Sequence, residues 1–206
     1  MIDHALRPAK DAVLRPLVAA VPAGVPPLAI TACAALAGLG AAGAVAGGWV
    51  VLAVALWLGS RVLDGLDGAL ARRSGADSDL GGYLDFLLDV VVYTAIPLGV
   101  AINVGGEGIW TVTALLLGAF YVNAVAWTYL SALLERRGRG AEARGEQTAV
   151  TMPRGLIEGT ETIVLFSLML AVPDWAIVIA PAMAALVLLS AAQRARWATR
   201  ALRGAT

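Results

Sequence analysis

The sequence is poor in cysteine, histidine, aromatic residues and charge. Its single cysteine, Cys33, excludes a disulfide framework and a cysteine-based metal site, and its single histidine, His4, excludes a multi-histidine zinc centre. Charged residues make up 15% of the 206 residues, against about 25% in soluble domains. The 15 basic and 15 acidic residues balance. The sequence therefore has no basic excess of the kind that binds nucleic acid, and we expect no nucleic-acid partner.

Long apolar runs take up most of the chain, in which 59% of the residues are hydrophobic. A helix needs about 20 apolar residues to cross a hydrocarbon core of about 30 Å. These runs are too long for barrel strands and lack their alternation. The sequence therefore predicts an all-α membrane protein with six transmembrane helices, at about Leu28–Gly47, Trp49–Arg72, Tyr83–Asn103, Ile109–Leu134, Gly155–Val172 and Trp175–Gln193.

Positive charges lie on alternate connections between the predicted spans. They precede span one, follow spans two and six, and fill the Arg136–Pro153 loop, whereas the other connections have none. With six spans, all these charges fall on one side, which the positive-inside rule places in the cytoplasm together with both termini. We expect a single domain over residues 1–206 of an inner-membrane protein. It would comprise a juxtamembrane segment (1–24), a six-helix bundle (28–193) and a cytosolic tail (194–206).

The N-terminal segment has no signal-peptide pattern before the first long span. Its apolar residues repeat at helical spacing, which predicts an amphipathic helix lying on the cytoplasmic interface. A short cytosolic tail is the alternative, because two prolines interrupt the pattern. The apolar face of the predicted helix consists of Ile2, Leu6, Ala9, Val13 and Leu17.

Acidic residues inside predicted spans are costly, at about 2.5–3.5 kcal/mol each on insertion scales, and indicate a functional site. Asp64 and Asp67 share one helical face of span two, and Asp85 and Asp89 share one face of span three. A short polar turn joins these two spans. The four carboxylates are therefore expected to converge on one pocket that opens to the cytoplasm.

Four adjacent carboxylates repel one another unless cations neutralise them. Carboxylate oxygens suit hard divalent cations, and two such ions are a common arrangement for phosphoryl transfer. A surface salt-bridge cluster is the alternative, but the neighbouring residues are apolar. Small and basic residues share the same faces and would admit a flat, phosphate-bearing ligand; these are Gly68, Ala71, Gly81 and Arg72.

The run DGLDGALARRSGADSDLGGYLDFLLD, from Asp64 to Asp89, resembles the signature of the CDP-alcohol phosphatidyltransferases. That signature reads D-x2-D-G-x2-A-R-x8-G-x3-D-x3-D. The approach to span one, from Val25 to Thr31, is similar to the family's Pro-Asn-x-x-Thr entry, with Leu28 in place of the asparagine. All eight signature positions match, namely Asp64, Asp67, Gly68, Ala71, Arg72, Gly81, Asp85 and Asp89.

The resemblance implies an enzyme of phospholipid biosynthesis that transfers a substituted phosphate from a CDP-linked donor to an alcohol and releases CMP. By the matched positions, Asp64, Asp67 and Asp85 would hold two divalent cations, Mg²⁺ or Mn²⁺, with Asp89 joining one of them. Asp89 would also be the general base. The family further implies a homodimer with one site per protomer. The cytidine and its phosphate would be bound by Gly68, Ala71, Arg72 and Gly81.

The acceptor is predicted from the start of span five. Glu158 and Glu161 resemble the Thr-Glu stretch of choline and ethanolamine phosphotransferases, and Ser131 stands where phosphate-using members carry a cation. Two acids would repel a phosphate, so we expect an amino-alcohol or diacylglycerol acceptor bound by these glutamates. Solvation of the glutamates at a helix N-terminus is the alternative reading. A phosphate acceptor, as in phosphatidylglycerophosphate or phosphatidylinositol-phosphate synthases, would instead rely on Arg154, Arg194 and Arg196.

A divalent-cation transporter is the rival class, with the aspartates as its conduction site. It predicts acids spread through the membrane depth and, commonly, inverted repeats. The four aspartates instead cluster near one face, and the second half of the chain has no counterpart. A catalytically inactive scaffold is disfavoured because every signature aspartate is present.

Overall fold

The structure, a computed structural model, describes residues 14–22, 24–75, 78–140 and 155–203. In these ranges the chain is helical and contains no strand, which confirms the predicted all-α class. A further helical stretch covers residues 14–20, and a 3-10 turn covers Pro173–Trp175. The six long elements are α1 (Pro27–Ala46), α2 (Val50–Ser74), α3 (Asp79–Val104), α4 (Glu107–Arg136), α5 (Gly159–Ala171) and α6 (Ala176–Arg203).

Four segments are long and apolar enough to cross a membrane, and they make the chain an integral membrane protein. They are α1, α3, α4 and the segment Pro173–Arg203, which contains α6. The 25-residue α2 is long enough, but from Arg61 to its end it carries three arginines and two aspartates. The 13-residue α5 rises only about 20 Å.

Two helices differ in extent from the predicted spans. Span five was expected to start at about Gly155, and α5 begins at Gly159. Span six was expected to end at about Gln193, and α6 continues through the predicted tail to Arg203. The end of α6 is held by the segment that follows α4, since Arg137 Nη1 donates to Leu202 O at 3.0 Å and Arg139 Nη1 donates to Ala201 O at 3.1 Å.

Helix α1 packs against both α2 and α3, and α4 packs against α6, while α5 contacts α2, α3 and α6. Glycines bring α1 and α3 close together. A Cβ at Gly38 would lie 2.6 Å from Val92 Cγ1, and a Cβ at Gly99 would clash with the backbone carbonyl of Ala42. This close packing fixes α3, and the acidic residues on it, relative to the rest of the bundle.

Gly99→Ala should destabilise the bundle, because the added methyl meets rigid backbone rather than a movable side chain. We expect a loss of about 1–3 kcal/mol, which is typical of overpacking, seen as a lower midpoint of thermal unfolding in detergent. Gly118→Ala on α4 is the matched control, since a Cβ there meets no atom within 4 Å. An unchanged midpoint for Gly99→Ala would show that α1 and α3 do not need this contact.

The helical residues 14–20 lie against α2. Leu14 and Val18 are buried with Leu66 and Leu70, and Arg73 Nη1 donates to the carbonyl oxygen of Val18 at 2.7 Å. The side that packs against α2 is not the predicted apolar face, and Leu17 of that face is 38% exposed. The buried side is therefore set by contact with α2. Residues 1–13, which carry the rest of the predicted interfacial helix, lie outside the described residues.

Candidate active site

The ends of α2 and α3 that carry the four aspartates are both capped. Gly75 ends α2 with a left-handed backbone (φ +62°), and Ser78 caps α3 by accepting a hydrogen bond from Gly81 N at 3.1 Å. Both helices pack against α1, and the face of α2 with Asp64 meets the face of α3 with Asp85 and Asp89. These three aspartates line one small cavity of about 10 Å³, room for about one water-sized particle.

The cavity lies where α1, α2 and α3 meet. Asp64 interacts electrostatically with the other three aspartates, as expected for like charges at close range. The structure thus brings the predicted acidic residues together, three of them on one cavity wall. Its remaining lining comes from Thr31, Ala34, Ala35, Arg61, Leu88 and Val92.

Asp67 is the most buried of the four aspartates, at 5% exposure. Its Oδ1 accepts a hydrogen bond from Gly68 N at 2.5 Å. The hydroxyl of Thr31 donates to Pro27 O at 3.2 Å and also interacts with this carboxylate. Within the described ranges, Asp67 Oδ2 is buried and accepts no hydrogen bond of good geometry. A buried acceptor of this kind calls for a cation or a water.

The carboxylate set fits a hard divalent cation in its chemistry, and the unsatisfied oxygen of Asp67 supports that fit. Among the residues that the structure describes, however, no three acidic, histidine or cysteine side chains are arranged as a ready-made ion site. Cation binding at these aspartates therefore requires some side-chain movement.

Arg61 was not predicted as a site residue, yet it contacts two aspartates of the acidic cluster. Its Nη1 donates to Asp89 Oδ1 at 2.8 Å and lies 3.6 Å from Asp64 Oδ1. A sequence signal existed: Arg61 precedes Asp64 by three residues, on the same helix face, inside an apolar run.

The residues predicted to bind the donor lie near this cluster but do not line its cavity. Arg72 is exposed and lines a second cavity of about 450 Å³ between residues 14–19 and α2. A Cβ at Gly68 would lie 3.3 Å from Arg72 Nη1. Ala71 and Gly81 are half-buried, and neither lines the two cavities described.

Glu158 and Glu161 form the N-terminal cap of α5. Glu158 is the N-cap residue, and its backbone N donates to Glu161 Oε2 at 3.2 Å, completing a capping box. Glu158 therefore precedes α5, whereas the predicted span five included it. The sequence did not predict where α5 starts, because hydropathy carries no information on hydrogen bonds such as the one that Ile157 N donates to Ser190 Oγ at 2.9 Å.

Arg194 of α6 is 4% exposed and lies beside this cap. Its Nη1 donates to Asn123 Oδ1 at 2.5 Å, and Glu158 interacts with it electrostatically. Gly155 leaves room for it, since a Cβ there would lie 3.1 Å from Arg194 Nη2. Arg196 is exposed, and Arg154 lies outside the described residues.

The sequence of this chain matches a known protein family. The family model "CDP-alcohol phosphatidyltransferase" matches residues 25–192. The chain is 36% identical over 132 residues to the inner membrane protein YnjF of Escherichia coli, covering 62% of this chain and 61% of that protein. It is 38% identical over 97 residues to the archaetidylinositol phosphate synthase of Pyrococcus horikoshii, covering 47% and 45% of the two chains. The matches thus span less than two thirds of either relative.

Solved structures share the fold. The phosphatidylinositol phosphate synthase of Mycobacterium tuberculosis, solved with CDP-DAG bound, superposes with a TM-score of 0.67 at 20% identity, covering 92% of each chain. A second structure of that protein, in complex with manganese and citrate, also gives 0.67, at 21% identity and with 92% and 88% coverage. At these identities the likeness concerns the fold.

Proposed function

Because the chain belongs to the CDP-alcohol phosphatidyltransferase family, we propose that it transfers a substituted phosphate from a CDP-linked donor to an alcohol hydroxyl and releases CMP. The observation that carries this proposal is the meeting of Asp64, Asp85 and Asp89 on one cavity wall, as three members of a complete signature. The rival transporter reading has no comparable support, since the acids gather at one end of α2 and α3.

The four aspartates are proposed to bind the cations and activate the acceptor. Asp64, Asp67 and Asp85 would hold two divalent ions, Mg²⁺ or Mn²⁺, and Asp89 would join one of them. When bound, the ions supply positive charge against the donor pyrophosphate and the departing CMP. Asp89 would accept the proton of the acceptor hydroxyl. Gly68, Ala71, Arg72 and Gly81 would orient the cytidine and its phosphate.

We propose six spans, with the site facing the cytoplasm. Exposed tryptophans lie at the arginine-free end, where amphipathic rings mark a membrane interface. They are Trp49, Trp110 and Trp175, which are 67%, 44% and 65% exposed. The whole chain would act as one domain and assemble as a homodimer with one site per protomer, by analogy with its family.

The acceptor is proposed to lack a phosphate. Arg194, the buried cation nearest the start of α5, already donates to Asn123 and lies in the field of Glu158. A phosphate would have to displace these interactions and approach two glutamates. An amino-alcohol or the hydroxyl of a diacylglycerol would instead find acceptor oxygens on Glu158 and Glu161.

A phosphate-bearing acceptor is the second candidate. It is favoured by the relatives, because the named enzymes among them are archaetidylinositol phosphate and phosphatidylinositol phosphate synthases. Arg194 and Arg196 would then bind the acceptor phosphate, with Arg154 as a further contact.

The test is CMP release by the purified protein in a matrix of donors and acceptors. CDP-diacylglycerol, CDP-choline and CDP-ethanolamine would each be combined with amino-alcohols, diacylglycerol, inositol phosphate and glycerol phosphate. CMP release that needs Mg²⁺ or Mn²⁺ supports the proposed reaction. If no pair releases CMP while proteoliposomes take up Mn²⁺, the chain is a transporter. Preference for inositol phosphate or glycerol phosphate would replace the first acceptor candidate by the second.

Glu161→Gln should lower turnover severalfold and shift acceptor preference, while donor binding stays nearly unchanged. The amide oxygen can still accept the hydrogen bond from Glu158 N, so the cap of α5 is retained while the charge is lost. Michaelis constants for donor and acceptor, measured separately, check this. Glu107→Gln, at the exposed first turn of α4, is the matched loss of charge. Equal acceptor profiles in the two variants would remove Glu161 from the acceptor site.

A further inference from the structure

We propose that Arg61 is a built-in counter-cation and positioning residue of the acidic cluster. It would hold Asp89 in place, and it would weaken the binding of divalent cations to a level at which they exchange. The inference rests on the proposed function in one respect, namely that the aspartates bind divalent cations. It concerns a residue outside the eight signature positions.

The guanidinium of Arg61 contacts two aspartates on two helices. Nη1 donates to Asp89 Oδ1 at 2.8 Å and lies 3.6 Å from Asp64 Oδ1. Nη2 donates to Ser60 Oγ at 3.0 Å. The side chain is 6% exposed, and those of Asp64 and Asp89 are 28% and 31% exposed. Arg61 therefore lies on the buried side of the cluster, and its aspartate partners are nearer to solvent.

Aromatic rings hold the guanidinium in this position. Its Cζ lies 4.8 Å from the ring centroid of Trp57 and 5.5 Å from that of Tyr93, both within the range of cation–π attraction. Trp57 is fully buried and is itself fixed, because its Nε1 donates to Ser167 Oγ of α5 at 3.1 Å. Arg61 is thus held between α2 and α3, beside a tryptophan that is anchored to α5, and cannot swing out as a surface arginine would.

A fixed positive charge has two opposite effects on this site. It reduces the formal charge of the ionised cluster from −4 to −3, so divalent cations are attracted less strongly. It also fixes one oxygen of Asp89, which orients the carboxylate proposed to accept the acceptor proton. Loss of an arginine with a merely structural role would have a different result. It would loosen the site, so that cation binding and turnover would both weaken.

Arg61→Gln should therefore bind Mn²⁺ more tightly, by about tenfold, and at the same time turn over more slowly. Glutamine keeps a donor near Asp89 but removes the charge. Without added cations the variant should unfold at a lower temperature, because two carboxylates lose their partner. Mn²⁺ should then raise the unfolding temperature more than it does in the unmodified protein.

Arg61→Lys separates charge from geometry. It retains the positive charge but lacks the planar fork that contacts Asp89 and Ser60 together. We expect Mn²⁺ affinity within about threefold of the unmodified protein and a turnover number that is still reduced. This variant also keeps the inference testable if Arg61→Gln fails to fold.

The experiment measures free Mn²⁺ by electron paramagnetic resonance during titration of the detergent-solubilised full chain, alongside unfolding temperature and turnover. Arg200→Gln, an exposed arginine in the last turn of α6, is the control for loss of one positive charge and should match the unmodified protein. Tighter Mn²⁺ binding with slower turnover in Arg61→Gln, and unchanged affinity in Arg61→Lys, supports the inference. Equal or weaker binding in Arg61→Gln overturns it while leaving the proposed function intact. Absence of Mn²⁺ binding in the unmodified protein overturns both.

Discussion

Asp85→Ala is expected to abolish CMP release, with a loss of about a thousandfold or more at saturating donor. Asp85 lines the same cavity as Asp64 and Asp89, and its removal takes away a carboxylate that its neighbours need as a partner in holding cations. The remaining acids would then repel one another around an incomplete site. Asp64→Ala and Asp67→Ala should have comparable effects for the same reason. Rates of CMP release, measured across a range of Mg²⁺ and Mn²⁺ concentrations, check this.

The control is Asp79→Ala, which removes an exposed aspartate from the first turn of the same helix. It should lose no more than about 1 kcal/mol of helix stability and retain its activity. Both variants should insert into membranes and elute as the unmodified protein does. Near-normal turnover of Asp85→Ala at ordinary cation concentrations would show that this carboxylate does not hold an ion.

Asp89→Asn should reduce the turnover number by about a hundredfold to ten-thousandfold, the usual contribution of a general base. The amide oxygen can still accept the hydrogen bond from Arg61 Nη1, so the ion pair becomes a hydrogen bond of similar geometry. What the variant lacks is a group that accepts the proton of the acceptor hydroxyl. The effect should therefore fall on turnover, with a smaller change in donor affinity.

Binding measurements separate the two roles proposed for Asp89. Affinity for the CDP-linked donor, measured with and without Mn²⁺, should stay within a fewfold of the unmodified protein. If donor binding is lost while bound substrate still reacts at the normal rate, Asp89 acts as a cation ligand and another group removes the proton.

The acidic residues were predictable from the sequence because their arrangement is local. Spacings of three and four residues place Asp64 with Asp67, and Asp85 with Asp89, on single helix faces whatever the rest of the fold does. The short polar stretch between the two predicted spans then required them to run antiparallel, with their acidic ends together. These two features of the sequence were enough to predict a common cavity.

The contact of Arg61 with Asp89 was not predictable in the same way. It joins residues 28 positions apart and depends on how far α2 and α3 are rotated about their axes. That rotation is set by the packing of α1 against both helices, where Gly38 faces Val92 of α3 and Ser60 of α2. No spacing rule in the sequence carries this information.

The start of α5 is a second feature that could not be predicted from the sequence. Hydropathy places Gly155, Leu156 and Ile157 in a span, since it counts apolar side chains. The helix begins later because backbone donors before it are already satisfied elsewhere: Gly155 N donates to Glu158 Oε1 at 3.3 Å, and Ile157 N donates to Ser190 Oγ. Hydrogen bonding, not hydrophobicity, decides this boundary.

The shortness of α5 has a consequence for the surrounding lipid. Its 13 residues rise about 20 Å, roughly 10 Å less than an average hydrocarbon core. Such a hydrophobic mismatch is relieved by local thinning of the bilayer or by tilted lipids, at a cost of fractions of a kcal/mol per Å. Lipid headgroups beside α5 would therefore sit deeper than elsewhere around the protein, near the level of Glu158. A lipid in this thinned region would bring its headgroup towards the buried carboxylates without leaving the membrane.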